Sequence, residues 1–556
     1  MKKYYFWLLF FLFIVIFILY LPLFKSFFQH DEWMAFGDIL SSKRNLVNII
    51  TWSFAPDKEH YTPIYNMIFL IYFRLLKFNF EIYALLSILS HLVIVYLVYI
   101  FTSKVFKVKI LAIACAAFFG LNSSLYQANT WVWYETGFHY STIFALLSLI
   151  SFWNFFENGR LKSIYISLLL LVVSLLIREE AVGFFALYPL AIILFKKGKF
   201  KNKIVFFRPV LLVGLIYFLF RVSMFFIPSA RELFPSVFNL QTPANIFFNT
   251  IAFPSKVLLQ TVFPSRIGLF VSRWLTGLLP RDLTGLVGTT QFDVFVEQRT
   301  LQIFTLAIFM LVLWGLYRLW QQKRNVIWVK IVIFGFAFVV VNSFVYALSS
   351  GRLDLIVLVD SRNLYPTVIG TAIFLVSLSA VIFKKSPTKA VLCILPLILL
   401  HVFYLHKELV ALSTTGSIRK AILYQVKNDY PKLPAKVVFY TESDSSYYGM
   451  PETEKILPFE FGLGRILLSW YESEENFPRI FFENRFLWGL TSEGYIGEGN
   501  RGFGYYRNMD KMVIAIKENR LSTDSILAYR FYSKENLLVN VSDEVRRAVE
   551  LKLPPF

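Results

Sequence analysis

Long apolar runs, broken by short charged or aromatic stretches, fill most of residues 1–407. A helix crosses a hydrocarbon core of about 30 Å with roughly 20 mostly apolar residues. On that rule the runs at 6–24, 61–78, 82–101, 109–125, 137–156, 161–177, 180–196, 205–227, 300–319, 326–348, 362–383 and 389–406 are each a predicted span. Barrel strands would be shorter and would alternate apolar with polar positions, a pattern the chain lacks. The expected fold is a polytopic α-helical membrane protein of about 11–13 transmembrane helices.

The first run follows a basic Met1-Lys2-Lys3 start in the manner of a signal peptide. It is longer than a signal core and no small-residue cleavage site follows, so it reads as a retained helix. Basic clusters favour the cytoplasmic side. They put the amino terminus, residues 196–208, Arg318 to Lys330 and Lys384 to Lys389 inside, leaving outer loops at 25–60, 228–299 and 349–361. Seven predicted spans then separate the cytoplasmic start from the 196–208 cluster, where an even number is required. One of them is not a full crossing: either 61–78, lying partly in the interface, or a part of 161–196, which Arg178-Glu179-Glu180 interrupts.

From Glu408 the composition turns mixed and charged, with a predicted strand over Lys436 to Thr441 and a closing helix over Ser542 to Leu551. Residues 408–556 are expected to form an extracytoplasmic α/β domain behind a membrane domain of residues 1–407. No heptad, tandem repeat or similarity between the membrane halves is visible, which argues against a repeat-built transporter.

Composition narrows the class. The 556 residues are 57% hydrophobic and 17% charged, with a mean hydropathy of +0.58, so lipid is the main solvent. Much of the formal charge of +20 lies in short topology-setting clusters such as Lys196 to Lys203, and no nucleic-acid partner is expected. Cys115 and Cys393 sit in apolar runs as small hydrophobes, with no disulfide framework and no metal site.

The sharpest chemistry is Gln29-His30-Asp31-Glu32-Trp33, at the outer mouth of the first predicted span and ahead of an amphipathic stretch from Met34 to Ile50. A carboxylate near hydrocarbon is poorly solvated and binds protons more tightly, which suits a general base for an incoming hydroxyl. The alternative is that the pair caps the following helix, whose N-terminus favours negative charge. A second cluster, Asp57-Lys58-Glu59-His60-Tyr61-Thr62-Pro63, ends the same loop, and its Thr-Pro also suits a helix start. No His/Cys/Glu set has metal-ligand spacing; His30, Asp31, Glu32 and His60 can meet only in space, so a divalent metal is left open and no cofactor is assigned. His91 reads as a buried, hydrogen-bonded histidine and Trp131-Val132-Trp133-Tyr134 as an interfacial anchor. The loop 228–299, with Arg231, Arg266, Arg273 and Arg281, reads as interfacial helices bordering a lipid-accessible cavity.

These motifs together carry a resemblance. The acidic pair, the His60 to Pro63 motif, His91 within Leu-Ser-His-Leu, Trp131 to Tyr134, Arg178-Glu179-Glu180-Ala181-Val182 and Asp360-Ser361-Arg362-Asn363-Leu364-Tyr365-Pro366 follow one another along residues 1–407. Their order resembles the GT-C superfamily of polyprenyl-phosphate-sugar-dependent glycosyltransferases, which includes protein O-mannosyltransferases and aminoarabinose transferases. The last two are similar to the Lys-Glu-x-Ala and Arg-x-Leu-Tyr-x-Pro patterns of O-mannosyltransferases that carry tetratricopeptide repeats. Those repeats are missing here, Arg178 stands where lysine is common, and His60 and Thr62 replace the more usual residues before Pro63. The sugar is therefore left open, and residues 408–556 are not covered.

The resemblance implies a multi-pass enzyme of the cell (plasma) membrane that moves a sugar from a polyprenyl-phosphate donor to an acceptor protein, lipid or glycan on the outer face, usually with inversion. It makes Asp31 the base, with Glu32 beside it. The leaving polyprenyl phosphate needs fixed positive charge, for which Arg362, Arg178, Arg352 and Lys58 are the candidates. His30, His60, Tyr61 and Tyr365 are the candidate substrate contacts. The rival role for Arg178 is an ion pair with Glu179 or Glu180, and for Arg362 a surface pair with Asp360. Two rival functions stand beside this one: a flippase or transporter of lipid-linked sugars, and a non-catalytic membrane scaffold whose carboxy-terminal domain binds surface polymers.

Overall fold

A computed structural model describes residues 3–42, 50–51, 53–54, 61–132, 136–196, 200–224, 242–275, 291–321, 326–347, 361–383, 386–444, 459, 463–483, 487 and 493–553. The chain forms two compact units: Met1–Leu21, Val47–Arg74 and Ile82–Leu409 make the first, while Pro22–Leu46, Leu75–Glu81 and Val410–Phe556 make the second. The protein is a polytopic helical one. Among the described residues seven helices are long and apolar enough to cross a membrane, or eight when the bent pair Lys109–Gly120 and Ser123–Thr130, which turns by 51°, counts as one.

That is fewer than the predicted spans, for physical reasons that differ from run to run. Pro63–Leu76 has 14 residues, or about 21 Å at the helical rise of 1.5 Å per residue, short of a hydrocarbon core. The run 161–196 becomes Leu161–Ile177 and Gly183–Phe195, parted by the tight turn Glu179–Val182. Thr136–Asn158 is long, but it spends many positions on polar side chains.

Those polar positions are structural. Ser141 and Ser174 each donate to the other's backbone carbonyl, at 3.2 and 2.8 Å. Seven residues along each helix, Ser148 and Ser167 repeat the exchange, and the Tyr188 hydroxyl lies 2.5 Å from Ser148 Oγ and 2.9 Å from Ser167 Oγ. Small hydroxylated residues let membrane helices approach closely and bond across the seam. Glycine does the same between Val326–Ala347 and Tyr365–Ile382: a β-carbon at Gly335 would lie 2.5 Å from Phe374 N, and one at Gly370 would lie 2.8 Å from Val339 N.

Contacts at the helix ends give their directions. Lys104 pairs with Glu157 at 3.8 Å, Lys109 lies over the Tyr5 ring, and Lys196 over the rings of Phe156 and Phe206. These basic ends lie together, so 3–20, 80–106, 109–130, 136–158, 161–177 and 183–195 run alternately up and down. Pro63–Leu76 begins beside Glu179 through Tyr61 and returns to the same end, where the Tyr72 hydroxyl meets that of Tyr140 and its ring lies 6.5 Å from the Tyr83 ring. Both of its ends therefore lie on the side away from those basic ends.

His91 is buried with both ring nitrogens engaged, Nδ1 at 2.6 Å from the Tyr365 hydroxyl and Nε2 at 3.1 Å from the Gly120 carbonyl. The carbonyl can only accept, so Nε2 carries the proton and Nδ1 accepts from Tyr365. Next to it His139 joins Ser90 and Asn129, and Asn129 donates to the Tyr20 hydroxyl. The sequence reading of His91 as a buried, bonded histidine agrees with this geometry.

In the second unit a five-stranded sheet is ordered β2-β3-β1-β4-β5, with β1 Lys436–Ser443, β2 Gly494–Glu498, β3 Arg501–Tyr506, β4 Ile526–Tyr532 and β5 Leu537–Asn540. The three central strands are parallel and the two edge pairs antiparallel. Parallel strands buried on both faces read as continuous apolar runs, as Val437 to Tyr440 do. One face packs Val438 and Ile526 on Met512, Ile516, Val545 and Val549, from the helices Met509–Glu518 and Ser542–Lys552. The expected strand and closing helix are both present. The helix Pro387–Asp429 runs well beyond the expected end at 406, because no Pro or Gly-Pro break follows Leu405 until Pro431.

Candidate functional site

Asp31 and Glu32 fall in the helix His30–Ser42, which belongs to the second unit. Asp31 is its second residue; the side chains of Asp31 and His30 lie outside the described residues. Glu32, at the third helical position, is fully buried and accepts the backbone N–H of Gln29 at 2.6 Å. That is the returning half of a capping box, in which the third helical residue satisfies the cap residue's amide. The next residue, Trp33, lies among aromatic rings: it stacks on Phe78 at 5.5 Å, meets Trp470 edge-on at 6.0 Å and donates its indole N–H to the Phe28 carbonyl. One further turn on, Gly37 lets the buried Arg465 lie against the helix, where a β-carbon would be 2.9 Å from its Nε.

In the first unit the chain breaks at Arg178, whose extended backbone (φ −147°, ψ 127°) stops one helix before the turn Glu179–Val182 starts the next. Four charges converge there. Arg178 pairs with Glu180 at 3.0 Å and lies 3.8 Å over the Phe138 ring. Glu179 Oε1 accepts from Arg221 Nη1 at 2.6 Å and from the Tyr61 backbone N–H at 2.6 Å. Gly137 is required beside them, since a β-carbon would meet the Tyr65 ring at 2.8 Å and Arg178 Cδ at 3.2 Å. Burial raises the Tyr61 phenol above its ordinary range, against the opposing effect of Arg221, and its ring lies 5.1 Å from Phe220.

Arg362 sits in the turn Ser361–Leu364, opposite the short helix Tyr126–Thr130. Its guanidinium lies 4.7 Å from the Trp131 ring centre, its backbone N–H donates to Gln127, and Ser361 donates to the Ser124 carbonyl. Tyr365, next in line, is fully buried on His91.

The structure thus brings Tyr61, Arg178 and the unforeseen Arg221 together, and seats Arg362 on Trp131. Lys58, His60 and Arg352 lie outside the described residues, as do the side chains of Arg273 and the whole of Arg231 and Arg281. Arg266 is described and pairs with Glu408, which raises its pKa. Arg221 escaped the sequence reading because it ends a long apolar run, where a lone arginine looks like an interfacial anchor. Among the described residues no three His, Cys, Asp or Glu side chains gather as a metal site. A cleft of about 550 Å³ in the second unit, lined by Lys436, Asn500, Arg520 and Asp524, contains none of the sequence-derived residues. No known family model matches the chain, and no curated protein matches it significantly.

Proposed function

We propose that this chain is a GT-C-type glycosyltransferase that moves a sugar from a polyprenyl-phosphate carrier to an acceptor on the outer face of the plasma membrane, the carboxy-terminal unit being extracytoplasmic and helping to hold the acceptor. The observation that carries the reading is the charged turn: Arg178 and Arg221 are held part-exposed, at 16% and 24%, at the helix ends away from Lys104, Lys109 and Lys196. Ionisable groups within a membrane bundle generally face its interior or a water-filled cavity and mark a substrate path, and two arginines at one turn supply the fixed positive charge that a departing phosphate needs.

In this reading Asp31 takes the proton of the acceptor hydroxyl while its oxygen attacks the anomeric carbon. The bond from that carbon to the phosphate oxygen breaks, the electron pair leaves on polyprenyl phosphate, and the configuration inverts. Arg178 and Arg362, with Arg352 and Lys58, bind the departing phosphate. Glu32 holds the start of the helix that presents Asp31, through Gln29. His30, His60 and Tyr61 contact the substrate, while Tyr365, buried on His91, braces the turn that carries Arg362.

The test incubates membranes bearing the wild-type chain or Asp31→Asn with radiolabelled polyprenyl-phosphate sugars and acceptor extract. The variant should insert normally and lose transfer. Undiminished transfer removes Asp31 as the base, and label that crosses the bilayer without transfer by the wild type replaces the enzyme reading with a transporter.

A further inference from the structure

We infer that Arg221 and the Tyr61 backbone N–H form a binding site for a lipid-borne phosphate, and that the carboxylate of Glu179 occupies this site as an internal competitor. The Glu179 oxygen receives two donors at 2.6 Å, one guanidinium N–H and one main-chain amide. Charge-assisted donors of this kind hold a phosphate oxygen equally well, the guanidinium fork matching phosphate as it matches carboxylate. The turn repeats the arrangement one residue later, where Glu180 covers Arg178.

Access favours a lipid as the carrier of the phosphate. Arg221 lies in the last turn of the helix Phe200–Met224, whose apolar window from Phe206 is only 11% buried. Leu215, Ile216, Phe218 and Leu219 on that helix are more than half exposed, so a lipid chain lying along them brings its headgroup to Arg221. The pair is itself reachable, with Glu179 at 21% and Arg221 at 24% exposure. An incoming phosphate offers the same donors an anionic oxygen in place of the carboxylate, so Arg221 keeps a charged partner when the two exchange.

Arg221 thereby joins the donor site of the proposed function, on which the choice of carrier rests; the phosphate site itself does not depend on any transfer reaction. The two are separated by measuring binding alone. The full chain in phosphatidylcholine nanodiscs is titrated with polyprenyl phosphate, with phosphatidylglycerol and with inorganic phosphate, and bound ligand is read by native mass spectrometry.

Glu179→Gln keeps an oxygen for the Tyr61 amide but gives up the charge. It should bind phosphate lipid at least about twofold more tightly, the range of exposed ion pairs setting the floor for this mostly covered one. Arg221→Gln should bind more weakly, and the double variant should lose the gain. Preference for polyprenyl phosphate assigns the donor; preference for phosphatidylglycerol upholds the phosphate site and assigns a bilayer headgroup instead. Unchanged or weaker binding by a folded Glu179→Gln, unchanged binding by Arg221→Gln, or binding of inorganic phosphate with neither lipid overturns the inference.

Discussion

The carboxylate of Glu32 closes on the backbone N–H of Gln29 at 2.6 Å, inside a pocket from which water is excluded. Removing an acceptor there leaves a buried amide without its bond, at about 1–3 kcal/mol. Glu32→Ala should therefore lower the unfolding midpoint of the purified protein in detergent, and Glu32→Gln, which retains an oxygen, should lower it less. Intrinsic tryptophan fluorescence reads the change directly, because Trp33 and Trp470 lie in the same cluster.

The serine seam is expected to behave as two coupled contacts. Ser148→Ala with Ser167→Ala removes the reciprocal bonds and the hydroxyl partners of Tyr188. Interhelical hydrogen bonds in membrane proteins average about 0.6 kcal/mol, so the double variant should lose roughly 1–2 kcal/mol in an SDS unfolding titration. Ser148→Leu should cost more than the alanine, since it also forces the two helices apart.

Gly335 touches backbone and not a flexible side chain. A methyl group there cannot be absorbed by a rotamer change, and Gly335→Ala should destabilise by about 1–3 kcal/mol, the usual range for overpacking. Gly315, beside which a β-carbon meets nothing within 4 Å, is the control. Gly315→Ala should leave the SDS midpoint unchanged or raise it, because alanine is the better helix former by about 1 kcal/mol.

Tyr365→Phe keeps the ring packed on His139 but leaves His91 Nδ1 without its donor. The expected loss is about 1–2 kcal/mol, read as a lower melting temperature. If Tyr365 serves only this bond, sugar transfer by the folded variant should change less than stability does; a selective fall in transfer would place the hydroxyl in substrate contact.

Hydrophobic periodicity was enough to reveal a polytopic helical protein, the strand at Lys436, the closing helix at Ser542 and the buried character of His91, because each depends on residues near in sequence. The same local reading found Arg178 by its position between two apolar runs, yet it could not place the ends of Pro63–Leu76: helix length and flanking charge are local, whereas those ends are set by Tyr61 on Glu179 and Tyr72 on Tyr140. Arg221 as the partner of Glu179, the serine seam with its partner Tyr188, and the membership of Pro22–Leu46 in the unit of Val410–Phe556 were decided by tertiary structure alone. Nothing in a sequence marks which distant donor will meet a given carboxylate; that is fixed only when helices from separate parts of the chain pack and each polar group must find its bond away from water.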